Sequence, residues 1–491
     1  MPAVRFPLLY QVNARLLAAE ARAGGTLDDL PDALFDEAAA RGFTWIWAMG
    51  VWQTGAAGLR EALAPGMRAA YARDLPDVRE ADVVGSPFAL RGYDVHRELG
   101  GEPALARLRQ RLTARGLRLM LDFIPNHVAV DHPWVESHPE YFVHGTEEDL
   151  RREPGNYVAL ATPGLILAHG RDPYFPGWTD TLQLDYRQPA LREAMMGELL
   201  RVASRCDGVR CDMAMLLEPD VIERTWPSPR DVPGPAPFWP EAIARVRGAR
   251  PDFLFLAEVY WDLEWRLLQH GFDFTYDKRL YDRLRAGAAG PVRAHLAAAP
   301  DFRDRCARFL ENHDEPRAAA AFPPELHRAA AVLTFAVPGL RFFHEGQLEG
   351  RRAHAAVQLA RRAAEVPDPG LRAFYDRLLA VLRRPELHEG DWRLCEVRSA
   401  GGGDGAEQNA IAFSWQLGRG RLVGVVNFGV APARCCIAPK LASPAGERWI
   451  LEDLLGDSRL PADRAQLEAA GFDLSLPAWG AHLFDVRPAP A

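Results

Sequence analysis

The sequence of 491 residues lacks any apolar run of the roughly 18 residues that a membrane-spanning helix requires. Its amino terminus also lacks the continuous apolar stretch and small-residue cleavage site of a signal peptide. It has no basic block, because 58 Lys and Arg residues are scattered among 66 Asp and Glu residues, giving a net charge of −8. We therefore predict a cytoplasmic protein with neither a membrane nor a nucleic-acid partner.

Cysteine is also scarce. The six cysteines show no CxxC spacing, which excludes the common zinc and redox motifs, so we predict reduced, structural thiols. His132, His138 and His144 have a metal-like spacing, but no HExxH or clustered Cys/His pattern accompanies them. We interpret these histidines as packing residues of a loop, and the sequence predicts no required cofactor and no metal site.

What the chain does have is length and a repeated pattern. It is too long for one ordinary core. Eight short β-branched or aromatic runs alternate with stretches of helical periodicity, which predicts an α/β fold, a (β/α)₈ TIM barrel whose active site lies at the carboxyl ends of the strands. The runs begin at Pro7, Thr44, Leu117, Gly208, Phe253, Phe272, Ala307 and Gly339.

Two segments extend the predicted barrel. Residues 128–185 exceed the usual strand-to-helix loop of roughly 2–6 residues, which predicts an inserted subdomain after strand 3. After 385, the runs WRLCEVRS, NAIAFSWQL, RLVGVVNFG, ARCCIAP and GAHLFDV predict a carboxy-terminal antiparallel β domain over 386–491. The barrel is then assigned to 1–127 and 186–385. The glycine-rich stretch from Ala400 is interpreted as a hairpin loop.

Three carboxylates follow three of the predicted strands: Asp212 in GVRCDMAM, Glu258 in FLFLAEVYW and Asp314 in ARFLENHDEPR. Parallel strands of a barrel end at one rim, so we expect these side chains to lie close together. Retaining cleavage of a glycosidic bond needs one carboxylate to attack the sugar and one carboxylic acid to protonate the leaving oxygen. Arg210 shares a strand face with Asp212 and favours its ionised form, whereas the apolar run before Glu258 favours a retained proton.

Four ordered motifs carry a family resemblance. DFIPNH, GVRCDMA, AEVYW and FLENHDEPR resemble the four signatures of the α-amylase superfamily of glycosidases and glucosyltransferases (glycoside hydrolase family 13). The resemblance implies that Asp212 is the nucleophile, Glu258 the general acid/base and Asp314 the transition-state stabiliser. Arg210 would then orient Asp212, and we interpret Asp122 as a residue that holds the barrel mouth.

The same resemblance implies several substrate contacts. His127 and His313 would donate hydrogen bonds to hydroxyls of the sugar. Phe88 lies where the family has a tyrosine that stacks on the sugar, and its ring keeps the stacking face, with a core role as the alternative. Arg317 either reaches a substrate hydroxyl or pairs with a neighbouring carboxylate, Glu315 or Glu311.

The resemblance leaves calcium open. Many amylases carry, after the nucleophile, a Lys-His pair that serves a glucose subsite and a calcium site, whereas this chain has Met215 and Leu216. Asn126 matches a family calcium ligand, but one oxygen does not make a site that takes six to eight.

Three functions follow as hypotheses. The first is a retaining α-glucosidic bond hydrolase of the α-amylase type, acting on α-glucans or short α-glucosides through a covalent glycosyl–enzyme intermediate. The second is a glucosyltransferase, phosphorylase or isomerase acting on a short saccharide such as maltose, trehalose or sucrose. The third is a sugar-binding protein without activity, against which the three carboxylates argue. All three predict a carbohydrate partner, and the oligomeric state is left open.

Overall fold

The computed structural model of the chain describes residues 5–227, 234–400, 405–441 and 448–489, so residues 401–404 of the predicted hairpin loop lie outside it. Eight parallel strands close into a barrel in which consecutive strands are neighbours and the eighth pairs with the first. The strands are β1 (Leu8–Asn13), β2 (Trp45–Met49), β3 (Arg118–Phe123), β4 (Gly208–Cys211), β5 (Leu254–Ala257), β6 (Phe274–Tyr276), β7 (Cys306–Arg308) and β8 (Leu340–His344).

The eight predicted runs are these eight strands. All of their residues are buried except the first residues of β3 and β5, which are half-buried. Parallel strands that are covered on both faces are continuously apolar in sequence rather than alternating. The prediction of a (β/α)₈ barrel is confirmed.

Helices alternate with the strands. In the helix Gly101–Thr113 the buried residues Ala104, Leu105, Leu108 and Leu112 repeat at helical spacing and form one apolar face. None of the helices in the described ranges is long and apolar enough to cross a membrane.

The α-helices and the shorter helical turns have the following bounds. The α-helices are Ala14–Ala21, Asp32–Ala40, Ala56–Ala62, Pro65–Tyr71, Gly101–Thr113, Trp134–Ser137, Glu147–Arg152, Pro189–Ala203, Pro219–Thr225, Trp239–Ala249, Glu264–Gln269, Lys278–Ala286, Ala289–Leu296, Pro300–Arg303, Ala318–Ala321, Pro324–Phe335, Pro369–Leu382 and Pro385–Glu389. The 3₁₀ turns are Leu27–Asp29, Glu80–Asp82, Arg97–Leu99, Pro139–Tyr141, Ala214–Leu217 and Ala406–Asn409, and Gln466–Ala470 is a π turn.

Small antiparallel sheets lie beside the carboxyl ends of β2 and β3. The segment after β3 contains two of them, and its first strand begins four residues past the end of β3, so this segment borders the rim of the barrel. The strand pairs are Trp52–Thr54 with Leu90–Val95, His127–Ala129 with Thr181–Gln183, and Tyr157–Ala159 with Ile166–Ala168.

The carboxy-terminal part forms two antiparallel sheets, as predicted, with orders β9-β11-β12-β17-β14-β15 and β10-β13-β16. The predicted strand WRLCEVRS divides at Cys395 into β9 and β10, which enter different sheets. The strands are β9 (Asp391–Leu394), β10 (Glu396–Ser399), β11 (Ala410–Leu417), β12 (Gly420–Asn427), β13 (Ala433–Ala438), β14 (Trp449–Asp453), β15 (Arg459–Ala462), β16 (Phe472–Leu476) and β17 (Ala481–Pro488).

The barrel and the β domain share apolar packing. Trp415 in β11 is buried, and its ring meets that of Phe6 edge to face with centroids 5.7 Å apart. Its indole Nε1 donates a hydrogen bond of 2.8 Å to the carbonyl of Ala336, one residue beyond the helix Pro324–Phe335. One side chain thus joins the two parts by both packing and hydrogen bonding.

An aromatic layer fills the barrel interior below the rim. Trp47 of β2 and Tyr276 of β6 both contact Phe342 of β8, with ring centroids 5.6 Å and 5.8 Å apart. The guanidinium carbon of Arg210 lies 5.2 Å from the Trp47 ring, and its Nε donates to the Tyr276 hydroxyl at 3.3 Å. These rings support the charged group at the centre of the candidate site.

Candidate active site

The register of two adjacent strands brings Asp212 and Glu258 together. Cys211, the last residue of β4, pairs with Ala257, the last residue of β5. The backbone N–H of Glu258 donates to the Cys211 carbonyl at 3.0 Å, so the ladder continues one step past both strands. Asp212 and Glu258 therefore occupy the same level of the rim, while Asp314 lies on the loop after β7.

One guanidinium holds both carboxylates. Arg210 Nη1 donates to Asp212 Oδ1 and Nη2 donates to Glu258 Oε2, each at 2.7 Å. A planar fork of this kind fixes the relative positions of its two partners. The sequence predicted that Arg210 serves Asp212, and the structure shows that it is shared, because Glu258 directly follows the neighbouring strand.

Glu258 accepts two further hydrogen bonds. The backbone N–H of Met213 donates to Oε2 at 2.7 Å, and the hydroxyl of Tyr260 donates to Oε1 at 2.8 Å. Met213 has a φ of 41°, in the left-handed region that costs a non-glycine residue roughly 1–2 kcal/mol. Sequence reasoning missed both donors, although the alternation of side chains along an extended segment places Tyr260 on the face of Glu258.

Burial raises the pKa of Asp212 and of Glu258, and the Arg210 cation opposes the rise at both groups. The sequence predicted that Asp212 stays ionised beside Arg210 and that partial desolvation keeps the proton on Glu258. Both carboxylates are buried at the rim, so desolvation acts on both. The negative charges of Asp212 and Asp314 raise the pKa of Glu258 further, and Asp314 raises that of Asp212.

Asp314 is the most open of the three carboxylates, with a side chain that is 50% exposed. His313 Nε2 lies 3.1 Å from Asp314 Oδ2, and burial lowers the pKa of His313 well below its usual value, so the ring is neutral. Gln11 Nε2 donates to His313 Nδ1 at 2.7 Å, which assigns the ring proton to Nε2, facing Asp314. Gln11 was not predicted as a site residue.

His127 lies beside the proposed acid. Burial lowers the pKa of His127 to about 4, against the opposing effects of the Glu258 carboxylate and the Phe88 backbone. Its ring centroid lies 5.0 Å from that of Trp178 in the segment after β3. The neutral imidazole therefore lies between Trp178 of the inserted segment and the Glu258 carboxylate.

Phe88 is half-buried and lies over the centre of the site. Its ring centroid is 5.3 Å from that of His313, with 30° between the planes, and 5.4 Å from the guanidinium carbon of Arg210. Of the two alternatives for Phe88, this half-buried position beside His313 and Arg210 fits a ring that borders the candidate site better than it fits a fully buried core residue.

Arg317 is buried and paired with a carboxylate. It is 1% exposed, and its Nη1 lies 2.6 Å from Glu311 Oε1 and 2.9 Å from the carbonyl of Glu345. The structure favours the alternative of pairing with Glu311.

Asp122 lies behind the three carboxylates. It accepts hydrogen bonds from Trp47 Nε1 at 3.0 Å and from the Gly50 backbone at 3.1 Å, and it is 4.0 Å from Arg210 Nη1. Burial raises its pKa to about 7. These contacts agree with the interpretation that Asp122 holds the barrel mouth.

A cavity of about 860 Å³ opens at the opposite, amino-terminal end of the barrel, and none of the predicted site residues lines it. Two ion pairs lie among its lining residues, Arg5 with Asp304 at 2.7 Å and Arg250 with Asp207 at 3.3 Å. In (β/α)₈ enzymes the active site lies at the carboxyl ends of the strands, so the rim with the carboxylates is the candidate site.

Residues 91–280, which include Asp212 and Glu258, match the family model of the α-amylase catalytic domain. This part of the chain, less than half of its length, is therefore similar to the catalytic domain of α-amylases. Several curated α-amylase superfamily proteins are similar to the chain. An α-amylase MalA of Haloarcula japonica is 26% identical over 353 residues, which are 69% of this chain and 47% of that protein.

Another relative is named α-1,4-glucan:maltose-1-phosphate maltosyltransferase, from Burkholderia pseudomallei. It is 26% identical over 284 residues, which are 54% of this chain and 21% of that protein. The matched region is 47% of the length of MalA and 52% of the length of an α-amylase 3 from Dictyoglomus thermophilum, so the chain spans about half the length of these two relatives.

Solved structures of superfamily members share the fold. A maltogenic α-amylase AmyB from Thermotoga neapolitana superposes with a TM-score of 0.70 at 17% identity and covers 98% of each chain. An α-amylase from Geobacillus thermoleovorans, solved with acarbose, gives a TM-score of 0.66 at 17% identity and covers 99% of each chain.

The surroundings of Asn126 do not fit the calcium site of the superfamily. Asn126 Oδ1 accepts from Gln183 Nε2 at 2.9 Å, and Asn126 Nδ2 donates to Gln183 Oε1 at 3.3 Å. Hydrogen-bond donors thus face the oxygen that a cation would need. Met215 and Leu216 are buried apolar side chains and offer no oxygen ligand.

Proposed function

We propose that the protein is a retaining α-glucosidic bond hydrolase of the α-amylase type, acting on α-glucans or short α-glucosides. The observation that carries this proposal is the Arg210 guanidinium, which holds Asp212 and Glu258 at 2.7 Å each. Retention needs a nucleophile and an acid close enough to act on one bond, and a shared cation supports that proximity.

The contacts support separate roles for the two carboxylates. Arg210 occupies Asp212 Oδ1, which leaves Oδ2 as the attacking oxygen. Two carboxylate neighbours raise the pKa of Glu258, which supports Glu258 as the group that keeps a proton. In the first step Asp212 forms a bond to the anomeric carbon, the glycosidic C–O bond breaks, and the proton of Glu258 passes to the leaving oxygen.

In the second step Glu258 takes a proton from water, the water oxygen bonds to the anomeric carbon, and Asp212 leaves as a carboxylate. Asp314, which is half exposed, would stabilise the positive charge that develops on the sugar ring. The Nε2–H of His313 and the neutral ring of His127 would bind sugar hydroxyls, and the ring of Phe88 would stack on the sugar.

Asp212→Asn tests the proposal. The variant should fold normally and lose at least about 10³-fold in kcat/KM on maltotriose, because the nucleophile is gone. Wild-type protein should release the α anomer first, seen by NMR, and a 5-fluoro-glucosyl fluoride should label Asp212, seen by peptide mass. Asp301→Asn, an exposed residue at the opposite end of the barrel, should keep full activity. Release of the β anomer first would contradict retention.

A second candidate function is transfer, phosphorolysis or isomerisation of a short saccharide. Two observations favour it: apolar Met215 and Leu216 replace the Lys-His pair, and several relatives are named maltosyltransferases. Incubation with α-glucans, maltose, trehalose and sucrose, with and without phosphate, separates the functions. Free glucose or maltose from water alone indicates hydrolysis, whereas a sugar phosphate or a rearranged disaccharide indicates the alternative.

A further inference from the structure

The two oxygens of Glu258 have different surroundings. Oε2 accepts from the Arg210 cation and from the Met213 backbone, at 2.7 Å each. A proton on Oε2 would point toward these two donors, so the proton of the acid form belongs on Oε1. The neighbour of Oε1 is the hydroxyl of Tyr260, at 2.8 Å.

The backbone fixes Tyr260 in this position. Tyr260 follows Glu258 by two residues and so shares its face of the extended segment. The next residues, Trp261 and Asp262, have φ values of 63° and 66°, a left-handed turn that persists only where its surroundings hold it. Asp262 is ion-paired with Arg279, and the Trp261 ring packs edge-on against another aromatic ring 4.9 Å away.

We propose that Tyr260 is a positioning residue that controls the acid proton of Glu258, an inference that rests on the proposed function. When Glu258 gives its proton to the glycosidic oxygen, Oε1 becomes a carboxylate oxygen and accepts the O–H of Tyr260. Tyr260 keeps its own proton throughout, because burial raises the pKa of Tyr260 well above its usual value. The hydroxyl therefore stabilises the form of Glu258 that proton transfer produces.

Other groups also act on Glu258, and the Tyr260 effect adds to theirs. The titratable and charged groups around Glu258 come from four parts of the barrel: Arg210 in β4 and Asp212 directly after it, His127 after β3, Tyr276 in β6, and His313 and Asp314 after β7. A variant of Tyr260 leaves all of these in place, so it isolates the contribution of one hydroxyl.

Tyr260→Phe removes the hydroxyl and keeps the ring. The pKa of Glu258 should rise, since its carboxylate loses a donor, and the alkaline limb of kcat/KM for maltotriose should move up by about 0.5–1 pH unit. The value of kcat/KM for maltotriose should fall about tenfold. With α-maltosyl fluoride, whose leaving group needs little protonation, the kcat/KM of the variant should stay within about twofold of the wild-type value. Equal losses on both substrates would overturn the proposal.

Tyr71→Phe is the matched control, because the Tyr71 hydroxyl is buried without a hydrogen-bond partner among the described residues. This variant should leave kcat/KM unchanged for both substrates. A second measurement, which does not depend on turnover, is the pKa of Glu258 determined by ¹³C NMR of protein with labelled glutamate. The Glu258→Gln variant assigns the Glu258 signal, because that signal is missing from its spectrum. The pKa of Glu258 should be about 0.5–1 unit higher in Tyr260→Phe than in the wild-type protein. An unchanged pKa would overturn the proposal about Tyr260, whether or not the wild-type protein cleaves either substrate. If the wild-type protein cleaved neither substrate, that result would separately refute the proposed function.

Discussion

Gln11 shows how a buried amide can set the chemistry of a neighbour. It lies in β1 and is fully buried, and its Nε2 donates to His313 Nδ1 at 2.7 Å. Because Nδ1 accepts this bond, the proton of the neutral imidazole resides on Nε2, on the side of Asp314. Gln11 therefore orients the hydrogen bond that His313 would offer to the sugar.

Gln11→Leu should lower kcat/KM on maltotriose about tenfold, because His313 loses its fixed orientation and one sugar hydrogen bond weakens by about 1.4 kcal/mol. Steady-state kinetics provide the measurement. Gln347→Leu is the matched control, since Gln347 is equally buried but donates to Tyr375 away from the carboxylates. Both variants should lose about 1–3 kcal/mol of unfolding free energy, so equal activities of the two would contradict the role of Gln11.

The residues that the sequence predicts well are those whose position follows from strand ends. Asp212 and Glu258 were found because each directly follows an apolar run. Gln11 interrupts such a run, PLLYQVNA, and a polar residue there signals a buried hydrogen bond, but its partner 302 residues away cannot be read from the pattern. The burial of Arg317 likewise depends on how the loop after β7 folds, so it cannot be read from the motif.

At the scale of elements, an amide pair joins the rim of the barrel to the inserted segment. Asn126 follows β3, and Gln183 ends the strand Thr181–Gln183. Gln183 Nε2 donates to both the side-chain and backbone oxygens of Asn126, at 2.9 Å and 3.0 Å, and both residues are buried. This pair makes the connection through hydrogen bonds of its side-chain amides.

Removal of calcium should therefore leave the protein unchanged. We expect Tm to stay within about 1 °C after EDTA treatment or addition of calcium chloride, because the binding of a cation to the native state alone would raise it. Differential scanning calorimetry gives the answer. A drop of several degrees in Tm with EDTA would show a calcium site.

Gln183→Leu should lower the free energy of unfolding by about 1–3 kcal/mol, because it leaves Asn126 without its hydrogen-bond partner. Gln110→Leu, on an exposed helix face, should lower it by less than about 0.5 kcal/mol.

The strands differ in how clearly the sequence shows them. The barrel strands were predicted because double burial makes them apolar throughout. The strands β14, β15 and β16 were not predicted, and each of them mixes buried with half-buried or exposed residues. Such short alternating strands give a weaker signal. The split of WRLCEVRS at Cys395 could not be predicted, because it depends on which partner strand lies beside each half.

At the scale of the whole molecule, Trp415 couples the β domain to the barrel. Its indole N–H satisfies the Ala336 carbonyl, and its ring packs on Phe6 of the barrel. Shared core residues make separate unfolding of the two parts unfavourable. We expect a single cooperative unfolding transition in urea, with the same midpoint when it is monitored by fluorescence and by circular dichroism.

Trp415→Phe should lower the free energy of unfolding by about 1–3 kcal/mol more than Trp392→Phe, because the Ala336 carbonyl is left unsatisfied. Trp392 is the control, since its indole nitrogen is buried without a hydrogen-bond partner in the described part of the chain. Urea denaturation provides the measurement, and kcat should be unchanged in both variants. Equal losses of stability would show that the Trp415 hydrogen bond contributes nothing to the junction.

The sharing of Arg210 has a consequence for protein engineering. Glycosidases are converted into catalysts of bond synthesis by deleting the nucleophile, and here that deletion would remove an anion that raises the pKa of Glu258. The full attraction of the guanidinium would then fall on Glu258, making it a weaker base toward an incoming acceptor sugar. A synthetic catalyst derived from this chain would need a compensating change at Arg210 as well as at Asp212.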